Sequence, residues 1–222
     1  MENVAIVQAR MMSSRLPNKI LLDINGYPIF EWVFKRLKKS KNLDLIVFAL
    51  PDSKADDILE ERLIKLGAKV LRGSENDLVD RFYRVAQKVD AQKIIRVCAD
   101  NPFICASEVD RLIDFYNFSH ADYAYNHIPK MNLYPDGIGA EICSMKILEE
   151  INKKATSSQH REHLFNYIWD NKLNYEIKTF DPPDNLAFPS LKLDVDTMSD
   201  YLKLTNKNYQ IDMTAEAIIR VS

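Results

Sequence analysis

Leu45-Ile46-Val47-Phe48-Ala49-Leu50 is an apolar run without alternation, and Val4-Ala5-Ile6-Val7 repeats the pattern near the start of the chain. Strands of this kind must be covered on both faces, which is the situation of parallel strands packed between helices. Between such runs the apolar residues fall at helical spacing, as in Ile58-Leu59 followed by Leu63-Ile64. The rhythm predicts strands at 4–8, 44–50, 68–72 and 93–98, with helices near 28–39, 54–66, 76–89 and 106–118. A βα repeat of this length is a doubly wound half-fold.

After Ser119 the rhythm changes. An extended stretch near Tyr123-Ala124-Tyr125 leads into a polar loop with Pro129, Pro135, Gly137 and Gly139. A strand through Ile142, helices near 144–153 and 158–171, and a return through Asn174–Thr179 follow. A strand at 191–195 and helices near 198–207 and 214–220 close the chain. The expectation is one α/β domain over 1–222, a Rossmann-like, mostly parallel sheet flanked by helices. The 120–180 excursion within it should cover a substrate or make a homodimer.

Composition narrows the function classes. The 222 residues carry 30 Lys and Arg against 32 Asp and Glu, a net charge of −2, so anion recognition must be local rather than spread over the surface. Nucleic acid is not an expected partner, and neither is a membrane, because no segment is long and apolar enough to span one. Cys98, Cys105 and Cys143 are odd in number and lack Cys-x-x-Cys spacing, which fits reduced, buried thiols in a cytoplasmic protein better than a disulfide framework or a zinc site.

The local anion site is legible directly after the first strand. From Asn3 to Leu22 there is no Asp or Glu, while Arg10, Arg15 and Lys19 recur every four or five residues. A ligand of an open α/β sheet lies beyond the carboxyl ends of its strands, where this loop should be. With only five glycines and no G-x-G-x-x-G or P-loop, side-chain cations rather than a backbone nest must hold the phosphates. Arg10 and Lys19 are expected to face solvent. Asp100 follows a strand and should face the same crevice; with Asp196 it could hold Mg²⁺, a hard cation that takes one or two carboxylates plus phosphate oxygens. Asp196 or Thr197 could instead cap the next helix. Lys35-Arg36-x-Lys38-Lys39-x-Lys41 is read as a solvated helix face.

Ala9-Arg10 followed by Ser14-Arg15-Leu16-Pro17-x-Lys19 resembles the signature of the cytidylyltransferases that activate acidic sugars. The resemblance continues through Asp23–Ile29, Arg72–Asp77, Arg96–Pro102 and Val195-Asp196-Thr197, and its middle blocks favour the SpsF-like spore-coat polysaccharide branch over the 3-deoxy-manno-octulosonate enzymes. It implies the nucleotide-diphospho-sugar transferase fold and transfer of CMP from CTP to a sugar or sugar acid with release of pyrophosphate. It implies Arg10, Arg15 and Lys19 as catalytic cations, Ala9, Ser14, Arg72, Gly73, Ser74 and Asp100 around the nucleotide, and Asp100 and Asp196 on the metal.

Acceptor contacts are expected from the excursion, at Asp136, Glu141, Arg161 and His163. His160 and His163 have a metal-compatible spacing but no third ligand. Tyr123, Tyr125 and Tyr134 are read as packing residues. Arg81 either touches the nucleotide or pairs with Asp77 or Asp80. Two other readings remain open: a glycosyltransferase whose metal is held by Asp194-Val195-Asp196, and a nucleotide-binding protein without turnover.

Overall fold

The computed structural model describes residues 1–222. The expected repeat is present as β1 (Asn3–Gln8), the short pair β2 (Asp23–Ile24) and β3 (Tyr27–Pro28), α1 (Ile29–Leu37), β4 (Leu45–Pro51), α2 (Asp57–Lys65), β5 (Lys69–Gly73), α3 (Leu78–Lys88), β6 (Lys93–Cys98) and α4 (Ala106–Ser119). The excursion supplies β7 (Tyr123–Tyr125), β8 (Glu141–Ser144), α5 (Met145–Lys154), α6 (Ser158–Glu162), α7 (Asn166–Asp170) and β9 (Ile177–Lys178); α8 (Met198–Thr205) and α9 (Ala215–Val221) end the chain. The β2–β3 hairpin is an addition to the expected elements. Its Asn25-Gly26 turn has positive φ at both residues, 49° and 93°, which an Asn-Gly pair accepts readily.

Seven strands form one sheet in the order β5-β4-β1-β6-β8-β7-β9. β5, β4, β1 and β6 run parallel to one another, whereas β8 is antiparallel to both β6 and β7. Val7, Phe48 and Ile95 pack under α1, α2 and α4 on one face, while Ile6, Val47 and Ile94 pack under α3 and α5 on the other. The double covering inferred from apolar runs is therefore the observed one. No helix is long and apolar enough to cross a membrane.

Two expected elements differ. The helix at 158–171 is broken, because His163 adopts an extended backbone (φ −122°, ψ 105°) that turns Leu164 and Phe165 into the core. The strand at 191–195 is instead an extended segment with one isolated bridge, Asp136 to Lys192. Both sides of β6 are already taken, by β1 and β8, so this segment is stitched to loops: Leu193 N donates to Asp136 O at 3.0 Å and Val195 N to Asp100 O at 2.9 Å. Leu193 and Val195 are fully buried in a third apolar cluster with Trp32 and Phe103. That anchoring sets Asp194 and Asp196 on the opposite side.

Candidate active site

The chain runs from β1 to β4 and β5, then crosses back to place β6 on the other side of β1. This reversal leaves a crevice beyond the carboxyl ends of β1 and β6, the position where open α/β sheets bind ligands. Gln8 and Cys98 are register partners at those ends. Beyond them lies a cleft of about 560 Å³ lined by Arg10, Ser14, Arg15, Lys19, Asp100 and Asp196 among others.

Lys19 is its centre. The ammonium donates to Asp100 Oδ2 at 2.6 Å and to Asp196 Oδ1 at 2.9 Å, and Arg15 Nη2 meets the other oxygen of Asp196 at 2.9 Å. Burial disfavours the Lys19 charge, but Asp100 and then Asp196 outweigh it and hold the pKa above the ordinary lysine value. The side chain is 9% exposed against 64% for Arg15, so the expectation of a solvent-facing Lys19 is corrected. The cause is local: Leu16 and Ile20 are drawn into the core, and the 3-10 turn Lys19–Leu21 carries Lys19 inward with them. The loop is also braced from below. Met11 N donates to the buried Asp56 Oδ1 at 2.7 Å, and Asn18 N closes on Met11 O at 2.8 Å.

Asp196 is released for this role because Thr197 caps α8, its hydroxyl accepting from Asp200 N at 3.2 Å in a reciprocal capping box. Asp194 has a different partner, Lys192 Nζ at 3.1 Å. Two carboxylates converging on one ammonium are a donor set that fits a hard divalent cation completed by phosphate oxygens, and no three His, Cys, Asp or Glu side chains form a metal cage without substrate.

A second cleft of about 760 Å³ adjoins the first and shares Gln8 and Arg10 with it; Asn76, Arg81, Ser158 and His163 complete much of its wall. Arg81 is 3% exposed, yet its Nε and Nη1 have no hydrogen-bond partner. Both carboxylates expected to pair with it are occupied: Asp77 by Arg161 at 2.6 Å and Asp80 by Arg84 at 2.7 Å. Burial, with Arg10 nearby, pushes the Arg81 pKa down to about 10. A buried cation without a partner is costly unless a ligand supplies the acceptors.

Residues 4–217 match the family described as Cytidylyltransferase. The chain belongs to that family. The enzyme is 34% identical to the spore coat polysaccharide biosynthesis protein SpsF of Bacillus subtilis over 88% of this chain and 82% of that protein. A 3-deoxy-manno-octulosonate cytidylyltransferase of Chloroherpeton thalassium is 31% identical, but over only 51% of this chain and 45% of that one. A cytidylyltransferase structure from Leptospira borgpetersenii superposes with a TM-score of 0.90 at 28% identity, covering 100% of this chain and 93% of that chain. The leaning toward the SpsF-like branch agrees with these coverages.

Several residues singled out in the sequence lie elsewhere in this cytidylyltransferase. Arg72, Gly73 and Ser74 line neither cleft. Arg72 is taken by Asp57 at 2.7 Å and Glu60 at 2.9 Å, and a Cβ on Gly73 would lie 3.0 Å from Arg81 Cγ, so this glycine lets α3 approach the sheet. Arg161 gives its guanidinium to Asp77 and Asn152, pinning α6 to the start of α3. Glu141 is buried against Arg96 and Tyr123. His163 lines the second cleft, beside Arg10 and Arg81. Asp136 alone of the expected acceptor residues stays near the acidic pair: burial, then Asp194, Asp100 and Asp196, push its pKa up to about 7.

Cys98 lines the first cleft, but burial pushes its thiol up to about 12, which suits a packed thiol and not a nucleophile. Nothing in the sequence marks Gln8 or Asn76 as a cleft residue, and it leaves Arg81 undecided. Only Arg81 has a partial sequence signal: Arg84, four residues after Asp80, can claim that carboxylate, whereas the loss of Asp77 to Arg161 is not legible in the sequence.

Proposed function

We propose that the enzyme transfers CMP from CTP to a sugar or sugar-acid acceptor of surface polysaccharide synthesis. The supporting observation is Lys19 held between Asp100 and Asp196 at the β1–β6 switch point, with Arg10 and Arg15 exposed on the same loop. The nucleoside belongs over the first βαβ half, in the second cleft, and the triphosphate runs past Arg10 toward Arg15 and Lys19. An acceptor oxygen attacks the α-phosphorus in line, the bond to the bridging oxygen breaks, and pyrophosphate leaves with the electron pair. Lys19 and Arg15, displaced from their carboxylates, follow the charge that develops on the phosphoryl oxygens. Asp100 and Asp196 would hold Mg²⁺, which when bound polarises the phosphoryl oxygens and orients the chain. Positioning supplies much of the acceleration, and no covalent enzyme intermediate is required.

Asp136 lies on the acceptor side, and its raised pKa suits it to accept the proton of an attacking hydroxyl. The glycosyltransferase alternative requires Asp194 and Asp196 to share one cation, and they contact different ones. Three free thiols fit a reducing, cytoplasmic setting. Pyrophosphate release measured with each of the four NTPs, Mg²⁺ and a panel of ulosonic acids and sugar phosphates is the test. CTP-dependent release with one acceptor is expected; release with a purine triphosphate alone sinks the proposal.

A further inference from the structure

Gln8 ends β1 at the seam between the two clefts and lines both. Its carboxamide is held in one orientation. Arg96, on the adjacent strand β6, donates from Nε and Nη2 to Gln8 Oε1 at 3.1 and 3.0 Å. A guanidinium carries only donors, so the amide oxygen must face Arg96 and the amide nitrogen must face away from it.

The third nitrogen of Arg96, Nη1, donates to Glu141 Oε2, and Arg96 and Glu141 are register partners across β6 and β8. The other oxygen of Glu141 accepts from Tyr123 OH at 2.5 Å. A polar chain thus runs under the clefts from β7 through β8 and β6 to the end of β1. Burial opposes the Glu141 charge, but Arg96 above all holds its pKa below the ordinary glutamate value, so the pair is ionised. Buried ion pairs are poor sources of stability compared with apolar residues of equal volume. This one gives Gln8 a direction. The Gln8 amide nitrogen, turned away from Arg96, is not among the buried polar atoms that lack a hydrogen-bond partner.

We propose that Gln8 is a substrate-binding residue whose N–H₂ donates to an oxygen of the nucleotide where the nucleoside meets the α-phosphate, with Arg96 and Glu141 as its positioning residues. The proposal rests on the reading that nucleoside and triphosphate occupy the two clefts, since Gln8 stands at their junction. Arg10, Arg15 and Lys19 attract phosphate from many orientations. A fixed, neutral donor between them accepts one placement of the chain and so sets which phosphorus meets the acceptor.

A double-mutant cycle on CTP binding tests this, using calorimetry on the full chain with Mg²⁺ and thermal melts to confirm folding. Gln8→Leu should weaken CTP binding about tenfold, the equivalent of one hydrogen bond to a charged group. Glu141→Gln should weaken it by a smaller factor, and the double variant should bind no more weakly than Gln8→Leu alone. Where Glu141→Gln fails to fold, Tyr123→Phe loosens the same carboxylate without unpairing a charge. Wild-type affinity in Gln8→Leu, or losses that multiply in the double variant, overturns the proposal. A wild-type protein that binds a different triphosphate and not CTP overturns the functional reading instead, and the cycle is then run with that nucleotide.

Discussion

The two clefts share Gln8 and Arg10 but treat their cations in opposite ways. In the first, Lys19 and Arg15 are neutralised in advance by Asp100 and Asp196. In the second, Arg81 is buried with two nitrogens unsatisfied and Arg10 close by. Under the proposed function the first cleft is an exchangeable ion cluster, in which an arriving metal and phosphate would take over the partners that the protein provides to itself. The second holds buried donors that no protein group satisfies. A transferase needs both: charge that can be redistributed where bonds change, and fixed donors where the leaving or transferred group is merely recognised.

The largest effect should come from breaking the first cleft at its centre. Lys19→Met is expected to reduce turnover by roughly 10²–10³-fold in a pyrophosphate-release assay, because a preorganised charge at the reacting phosphate is lost. CTP affinity should fall much less. A variant that keeps wild-type kcat would remove Lys19 from the chemistry.

Asp100→Asn and Asp196→Asn should each cost about 10²-fold or more in Mg²⁺-dependent rate. Asp194→Asn should be mild, because Lys192 is its partner. A Mg²⁺ titration of all three separates the cases. Equal losses at Asp194 and Asp196, with Asp100 dispensable, would restore the Asp-x-Asp reading.

The second cleft predicts that stability and binding move in opposite directions. Arg81→Met removes a buried, unpartnered cation, so the ligand-free protein should gain about 1 kcal/mol or more in stability. CTP affinity should drop by roughly tenfold or more as the donors vanish. Melts and calorimetry on the same variant read both. Loss of stability together with unchanged affinity would mean that Arg81 is an ordinary packing residue.

The smallest expected effect concerns Asp136, whose folded pKa of about 7 lies above its ordinary 3.8. Its folded-state contribution is fully present below pH 4 and is lost as pH rises through 7, where burial and the neighbouring carboxylates penalise the charge. Asp136→Asn should therefore leave metal-free stability nearly unchanged at pH 4 and raise it at pH 8 by roughly 1–2 kcal/mol, a figure reduced for partial exposure. A stability difference that does not change with pH would show that Asp136 is not held near the acidic pair.

The expected strands and helices match closely through the first hundred residues, where pattern and contact coincide. Each strand there is a continuous apolar run because both its faces are covered, and each helix shows the complementary stripe. In the excursion the pattern is weaker. Ile177–Lys178 is only two residues long, and the break at His163 has no glycine or proline to announce it.

The sequence by itself determined the α/β repeat, the cation loop after β1, and the strand-end position of Asp100, because each depends on local periodicity or on the order of neighbouring residues. Tertiary structure alone decided which charges meet. Lys19 lies 81 residues from Asp100 and 177 from Asp196, and only the crossing back of the chain from β5 to β6 brings the first pair together. The same holds for Arg161, whose pairing with Asp77, 84 residues away, occupies the carboxylate that could otherwise have neutralised Arg81. Ion pairs are settled by competition among all the charges that packing brings within a few ångströms, and a linear spacing cannot rank competitors that arrive from distant parts of the chain.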